Sequence, residues 1–290
     1  FVTSRFKYEK YKKRSTFMYL FGAALLVAVL ILGKEVNGAK RWLSFGFISI
    51  QPSEIAKLIL ILVLAGVMDR FRKKRLVKGK MLLNMMFLIL FYTVLILIER
   101  SFSTAAQIVI IGLTMLFVTG ISFSYFSIIS LIIGAVGIGS IISTPYRLNR
   151  ILGHSTGTEG VYQAKQSLIA IGSGGFLGKF YGNGLQKYFY LPEIHTDYIF
   201  AGYAEETGFI GSIILIGIYV VLLAIIIITL LKIKDMYAKY ILIGIFGMFS
   251  IQILGNLAVV LSVIPSTGIP LPIMSYGGST SVVTLAALGV

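Results

Sequence analysis

Long apolar runs dominate this sequence, and they decide the solvent in which it folds. A helix needs about 20 residues to cross a hydrocarbon core about 30 Å thick. Runs of that order predict membrane helices at roughly 17–33, 52–68, 81–98, 104–120, 123–144, 206–231 and 239–263, and an eighth begins near Ser275 and stops at Val290. They are continuously apolar and do not alternate with period two, which favours helices over a barrel. Composition agrees: 57% of the 290 residues are hydrophobic and 13% charged, against about 25% charged in an ordinary soluble domain. A soluble enzyme, a disordered chain and a secreted disulfide scaffold are excluded; cysteine is absent, so thiolate metal sites are excluded too.

The fold class expected is therefore an all-α polytopic membrane protein, read as a single domain over 1–290. Its net charge of +15 matters less than where the charges fall. Basic clusters lie at 5–14 (Arg5, Lys7, Lys10, Lys12, Lys13, Arg14), at 70–80 (Arg70, Arg72, Lys73, Lys74, Arg75, Lys78, Lys80) and at Lys232, Lys234 and Lys239. Counting crossings puts all three on one side, the cytoplasmic one by the positive-inside rule. Topology and lipid headgroups account for them, and nucleic acid is not called for. The same parity sends 34–51, 99–103, 145–205 and 264–274 outside. The third is a long loop, rich in glycine and aromatics and expected to be structured, ahead of the helix starting near 206. Both ends read as cut: there is no initiator Met, and the last run is too short to span.

Several polar residues ask for an explanation. Lys34, Glu35, Lys40, Arg41, Arg147, Arg150, Lys165, Lys179 and Lys187 fall outside by parity, against the positive-inside bias. Cations beside a bilayer suit a phosphate-bearing ligand, or they simply solvate a loop. Glu54 and Lys57 share a helix face; an ionisable pair within a membrane helix is costly and faces a bundle or a wet cavity, as a structural ion pair or as part of a site. The stretch 190–197 gathers Glu193, His195 and Asp197, with Glu205 and Glu206 two helical turns on. From spacing alone, Asp197 is as well read as a helix cap as a general base. His195 with Asp197 is too little for a zinc site, and His154, the other histidine, reads as a solvated loop residue. The glycines at 172, 174, 175, 178, 182 and 184 fit no nucleotide-binding pattern; they suit close approach to a ligand or tight packing.

Four stretches together carry a resemblance: VNGAKRWLSFGFISIQPSEIAK (36–57), YQAKQSLIAIGSGGFLGK (162–179), NGLQKYFYLPEIHTDYIFAGYAEETGFIG (183–211) and GIPLPIMSYGGSTS (268–281). The chain resembles the SEDS family (shape, elongation, division and sporulation) of peptidoglycan glycosyltransferases, FtsW, RodA and SpoVE. VNGAKRW and LQKYFYLPE are more similar to the division branch, FtsW, than to RodA. The resemblance implies ten membrane helices, of which about eight are visible here. It also implies polymerisation of lipid II into β-1,4 glycan strands for septal wall synthesis. The active site would face outside on the bacterial cytoplasmic membrane, and a class B penicillin-binding protein transpeptidase and other divisome proteins would be partners. An elongation polymerase, a lipid II flippase and a scaffold for the transpeptidase are the alternatives. The family's essential acid matches Asp197, in the loop 145–205; its paired charges match Glu54 and Lys57. Arg41 and Lys187 match its basic positions, and Gln51, Glu193, His195, Thr196 and Ser275 lie in the matching stretches as substrate-binding candidates. No cofactor is implied outright, although a divalent cation, Mg or Mn, would serve to stabilise the departing pyrophosphate. One departure stands out. Where the family has a PDxGT-like motif, this chain reads Arg100-Ser-Phe-Ser-Thr104, so the acid is lost or moved to Glu99. The loop 150–162 is also shorter than usual.

Overall fold

A computed structural model describes residues 3–5, 8–36, 39–46, 48–74, 78–121, 123–142, 159–188 and 190–290. Arg75, Arg147, Arg150, His154 and the shortened loop before residue 159 lie outside the described residues. The helices are α1 (Glu9–Lys13), α2 (Ser15–Leu32), α3 (Pro52–Lys73), α4 (Lys78–Ile98), α5 (Phe102–Phe117), α6 (Phe123–Ile142), α7 (Glu159–Gly174), α8 (Ile199–Lys232), α9 (Met236–Val260) and α10 (Gly278–Gly289). This is the polytopic all-α membrane fold expected. Among the described residues, four helices, Ser15–Leu32, Gly79–Ile98, Ile199–Lys232 and Met236–Val260, are long and apolar enough to cross a membrane on their own. Predicted and observed spans agree to within a few residues, with one exception described below.

The chain forms two compact units, one of residues 1–121, 224–251 and 277–290, the other of 122–223 and 252–276. In the first, α3 packs against α2, α4, α5 and α10. Nearly every side chain from Pro52 to Asp69 is buried, as a helix apolar all round should be. Tyr19 of α2 stacks on Tyr92 of α4 at 4.5 Å, and the Tyr92 hydroxyl donates to the Tyr19 carbonyl at 2.8 Å. Two of the basic clusters do more than set topology. Lys12 and Lys73 both pair with the carboxylate of Asp69, which is buried, and Lys12 lies over the Tyr237 ring. Asp235 caps α9 by accepting from the amides of Tyr237 (2.6 Å) and Ala238 (3.2 Å).

The segment 34–51 is not a plain loop. It carries a small antiparallel sheet, β1 (Lys34–Val36), β2 (Ala39–Phe45) and β3 (Ile48–Ile50), in the order β1-β2-β3. Val36 pairs with Ala39, and Leu43 with Ile50. The Asn37-Gly38 dipeptide between the first two strands is a hairpin signal that hydropathy reading passes over.

The second unit corrects the helix expected to start near 206. α8 begins at Ile199, and it is broken at Gly208, which has φ +67° and ψ −163°. The apolar span read from the sequence is the part after the break. The part before it holds Glu205 and Glu206, whose charges made it look like loop. At the break, the amides that lose their helical partners find others: Phe209 donates to the Gly175 carbonyl (2.9 Å) and Ile210 to that of Phe176 (3.3 Å), while the Glu205 carbonyl accepts from the Lys179 amide (3.0 Å). Backbone meets backbone here. A Cβ on Gly208 would collide with the Gly178 amide nitrogen, and one on Gly178 (φ +82°) with the Glu206 carbonyl. Of the two readings open for the glycine-rich stretch, tight packing is the one this part serves.

Candidate active site

The turn before α8 holds the candidate acid. Leu191, Ile194 and Tyr198 are buried and plug this turn into the unit, whereas Pro192, Glu193 and His195 are exposed. Glu193 takes a left-handed backbone (φ +58°), and its carbonyl accepts from the amides of Thr196 (3.1 Å) and Tyr198 (3.3 Å). The Thr196 hydroxyl also donates to the Glu193 carboxylate at 2.9 Å. These bonds curl the chain so that His195, Thr196 and Asp197 arrive just ahead of the helix.

The three residues are then tied down from outside. The His195 carbonyl accepts from the Tyr276 amide at 2.8 Å, the Thr196 carbonyl from the Ser275 hydroxyl at 2.6 Å, and the Asp197 carbonyl from Asn256 Nδ2 at 2.7 Å. Asn256, on α9, also donates to the Ile269 carbonyl (2.8 Å), and Ser275 Oγ accepts from the Leu271 amide (2.7 Å). The Tyr219 hydroxyl donates to the Pro272 carbonyl (2.7 Å). Three consecutive carbonyls held in this way fix the backbone from which the Asp197 side chain projects. That side chain is half-buried beside Gly268, where even a Cβ would stand 3.5 Å from Oδ2. His195, Ile199, Met274 and Tyr276 line a recess of about 340 Å³ next to the turn.

Glu205 organises the adjoining loop. Its buried carboxylate accepts from Lys179 Nζ (2.8 Å) and from the amides of Leu185 and Gln186 (3.0 Å each). The next residue, Glu206, pairs with Lys187 Nζ at 2.8 Å, which holds the ammonium more firmly charged than a free lysine.

In the other unit, Lys57 is wholly buried and bridges Glu54 Oε1 and Gln107 Oε1, both at 2.8 Å. Glu54 Oε2 is buried with no hydrogen-bond partner. Pro52 stands at the first turn of α3, with Gln51 preceding it. The Gln51 amide donates to Ser279 Oγ (2.9 Å) and its side chain to Ser53 Oγ (3.2 Å). Arg41, on β2, donates to the Arg100 carbonyl in the turn between α4 and α5. Beside it lies Glu99, buried, with neither carboxylate oxygen hydrogen-bonded. Burial pushes the Glu99 carboxyl up to about 8, opposed by the nearby Arg41 charge. The Ser101 hydroxyl donates to Thr104 Oγ1 at 2.9 Å.

The structure thus brings Glu193, His195, Thr196, Asp197 and Ser275 together in one unit and Gln51, Glu54 and Lys57 in the other. Lys187 and Lys57 each have a carboxylate partner. Ser275 acts on the turn with its hydroxyl, by donating to the Thr196 carbonyl. Asn256 and Glu205 are the residues that residue-by-residue reasoning undervalued. For Asn256 the signal was available: an amide inside an apolar helix is costly unless it bonds something. Among the described residues, no three His, Asp or Glu side chains converge as a metal cage.

Comparison with known proteins gives this geometry its relatives. The sequence profile of the FtsW/RodA/SpoVE cell cycle proteins matches residues 1–290. The probable peptidoglycan glycosyltransferase FtsW of Coxiella burnetii is 38% identical over 300 residues, covering 100% of this chain and 80% of that protein. Stage V sporulation protein E of Bacillus subtilis is 37% identical, covering 92% and 74%. Among solved structures, one from a study of how a peptidoglycan synthase complex coordinates polymerization and crosslinking superposes with a TM-score of 0.82 at 27% identity, covering 99% and 82%. The Thermus thermophilus rod shape determining protein RodA gives 0.74 at 28%, covering 99% and 79%. A match over the whole of this chain, with relatives above one-third identity, leaves one conclusion: the chain belongs to the FtsW/RodA/SpoVE family of cell cycle proteins.

Proposed function

We propose that this protein is a peptidoglycan glycosyltransferase of cell division that polymerises lipid II at the outer face of the cytoplasmic membrane, with Asp197 as the general base. The observation that carries the reading is the immobilised turn: a carboxylate on a backbone held at three successive carbonyls, with Gly268 beside it. Relatives named as peptidoglycan glycosyltransferases support the reaction class.

The chemistry needs one well-placed carboxylate. Asp197 takes the proton from an acceptor sugar hydroxyl. That oxygen forms a bond to the anomeric carbon of the donor as the carbon–oxygen bond to pyrophosphate breaks, and the bonding pair leaves with the phosphate. Direct displacement inverts an α-linked phosphate to a β-linked glycan. Pyrophosphate is a good leaving group, so no second carboxyl is required, unlike in a glycosidase. Positive charge near the departing phosphate lowers the barrier. Arg41, Lys57 and Lys187 are the candidates, and each would have to exchange or share its present acceptor to serve. Glu193, His195 and Thr196 are proposed to contact substrate at the turn, and Gln51 and Glu54 are proposed as substrate contacts within their own unit.

A class B penicillin-binding protein is the proposed partner, by analogy with the synthase complex that the chain resembles. The test is purified protein with labelled lipid II, with and without a cognate transpeptidase. Glycan ladders on a gel are expected; vesicle-to-vesicle passage of unpolymerised lipid II would support a transporter instead.

A further inference from the structure

One surface of the second unit is not used by this chemistry. The loop between α7 and the acid turn exposes Phe176, Leu177, Phe180, Tyr181, Tyr188 and Tyr190, from 55% for Tyr190 to 94% for Tyr181. Contiguous exposed apolar side chains on this scale mark a contact surface. Three observations identify what it contacts. The loop is fastened to α8 at the break, through the Phe209 and Ile210 amides and by Phe176 stacking on Phe209 at 5.8 Å. From that level, α8 runs on as an apolar span whose Ile213, Ile214, Ile218 and Val221 are exposed, so the aromatic cluster is continuous with a lipid-facing surface. The loop's lysines are neutralised within the unit, Lys179 by Glu205 and Lys187 by Glu206, so insertion exposes little net charge to a membrane boundary. Phenol and benzyl groups flanking an apolar span are the composition of a membrane-interface belt.

We infer that Phe176, Leu177, Phe180, Tyr181, Tyr188 and Tyr190 form an aromatic wedge seated in the headgroup–acyl boundary of the bilayer, with the lipid surface itself as the partner. Held through Gly178 and Gly208 to a helix that begins two residues after Asp197, the wedge sets the depth of the acid turn relative to the membrane. This consequence for Asp197 rests on the function proposed above; the seating does not. Because the charges are paired, seating depends on apolar contact and is indifferent to anionic lipid.

The test reads depth without activity. The chain has a single tryptophan, Trp42. A Trp42→Phe chain carrying Tyr181→Trp, or separately Tyr188→Trp, is reconstituted into phosphatidylcholine vesicles with and without phosphatidylglycerol. Both positions are exposed, so neither substitution disturbs a core. The expected result is blue-shifted emission, lost to lipids brominated near the glycerol end of the acyl chains and little affected by aqueous iodide, in both lipid mixtures. Emission quenched by iodide and untouched by bromolipid overturns the proposal and points to a surface awaiting a protein partner. Quenching by bromolipid that appears only with phosphatidylglycerol also overturns it, because it makes the seat electrostatic. Failure of lipid II polymerisation by the wild-type chain in the same vesicles, with the depth signal intact in the variants, counts against the activity reading alone.

Discussion

Glu54 and Lys57 show what a single buried residue costs in this molecule. Alone, either charge would be prohibitive at 0–4% side-chain exposure; together, with Gln107, they are tolerated. Breaking a buried pair costs about 3–5 kcal/mol, whereas removing both partners is far milder. Lys57→Met is therefore expected to lower the detergent melting temperature sharply, and Glu54→Gln with Lys57→Met to recover most of the loss. Equal loss in the single and double variants would mean that the uncompensated Glu54 charge is not the source of the loss. Glu99 makes a separate prediction. Its carboxyl rises from 4.5 unfolded to about 8 folded, so below about pH 4.5 the group is neutral in both states and costs nothing. The penalty for burying it ionised grows as the pH rises between those values and is complete above 8. Wild-type stability should fall from pH 5 to pH 9 by more than that of Glu99→Gln, measured by thermal melts across that range.

Between residues and the whole, the broken helix α8 is the element that most shapes the candidate site, and it was the least legible. Hydropathy located the other membrane helices to within a few residues because lipid enforces length and apolarity locally. It failed at 199–208 because Glu205 is acceptable in a helix only through Lys179 and two loop amides some twenty residues away. The sheet at 34–50 escaped for the opposite reason: its strands are short, and its Asn-Gly signal is local but outside a search for spans. The acid turn was found by its pattern, yet the ties from Asn256, Ser275 and Tyr276 depend on contacts that sequence spacing does not encode. Gly178→Ala and Gly208→Ala should each destabilise well beyond the roughly 1–2 kcal/mol of left-handed backbone strain, since each Cβ meets backbone. Gly182→Ala has the same sign of φ but open space around it, so it should cost only that strain. Limited proteolysis within 176–190 is the readout, with rapid cleavage expected for the first two variants only. Asn256→Ala leaves the buried Ile269 carbonyl without its donor, about 1–3 kcal/mol, and frees the part-buried Asp197 carbonyl; it should lower polymerisation more than it lowers lipid II binding. Unchanged polymerisation would show that the turn does not need its ties.

At the scale of the whole molecule, two compact units carry two polar clusters, one centred on Lys57 and one on the turn at Asp197. The proposed reaction makes a single demand of this molecule: a carboxylate at a fixed height relative to a lipid-borne substrate. Asp197→Asn keeps size and shape and removes the base. The most direct measurement is single-turnover polymerisation of labelled lipid II by wild type and Asp197→Asn, at matched folding and matched lipid II binding. The account predicts no glycan ladder from the variant at any pH, with binding retained. Ladders forming at the wild-type rate would contradict it.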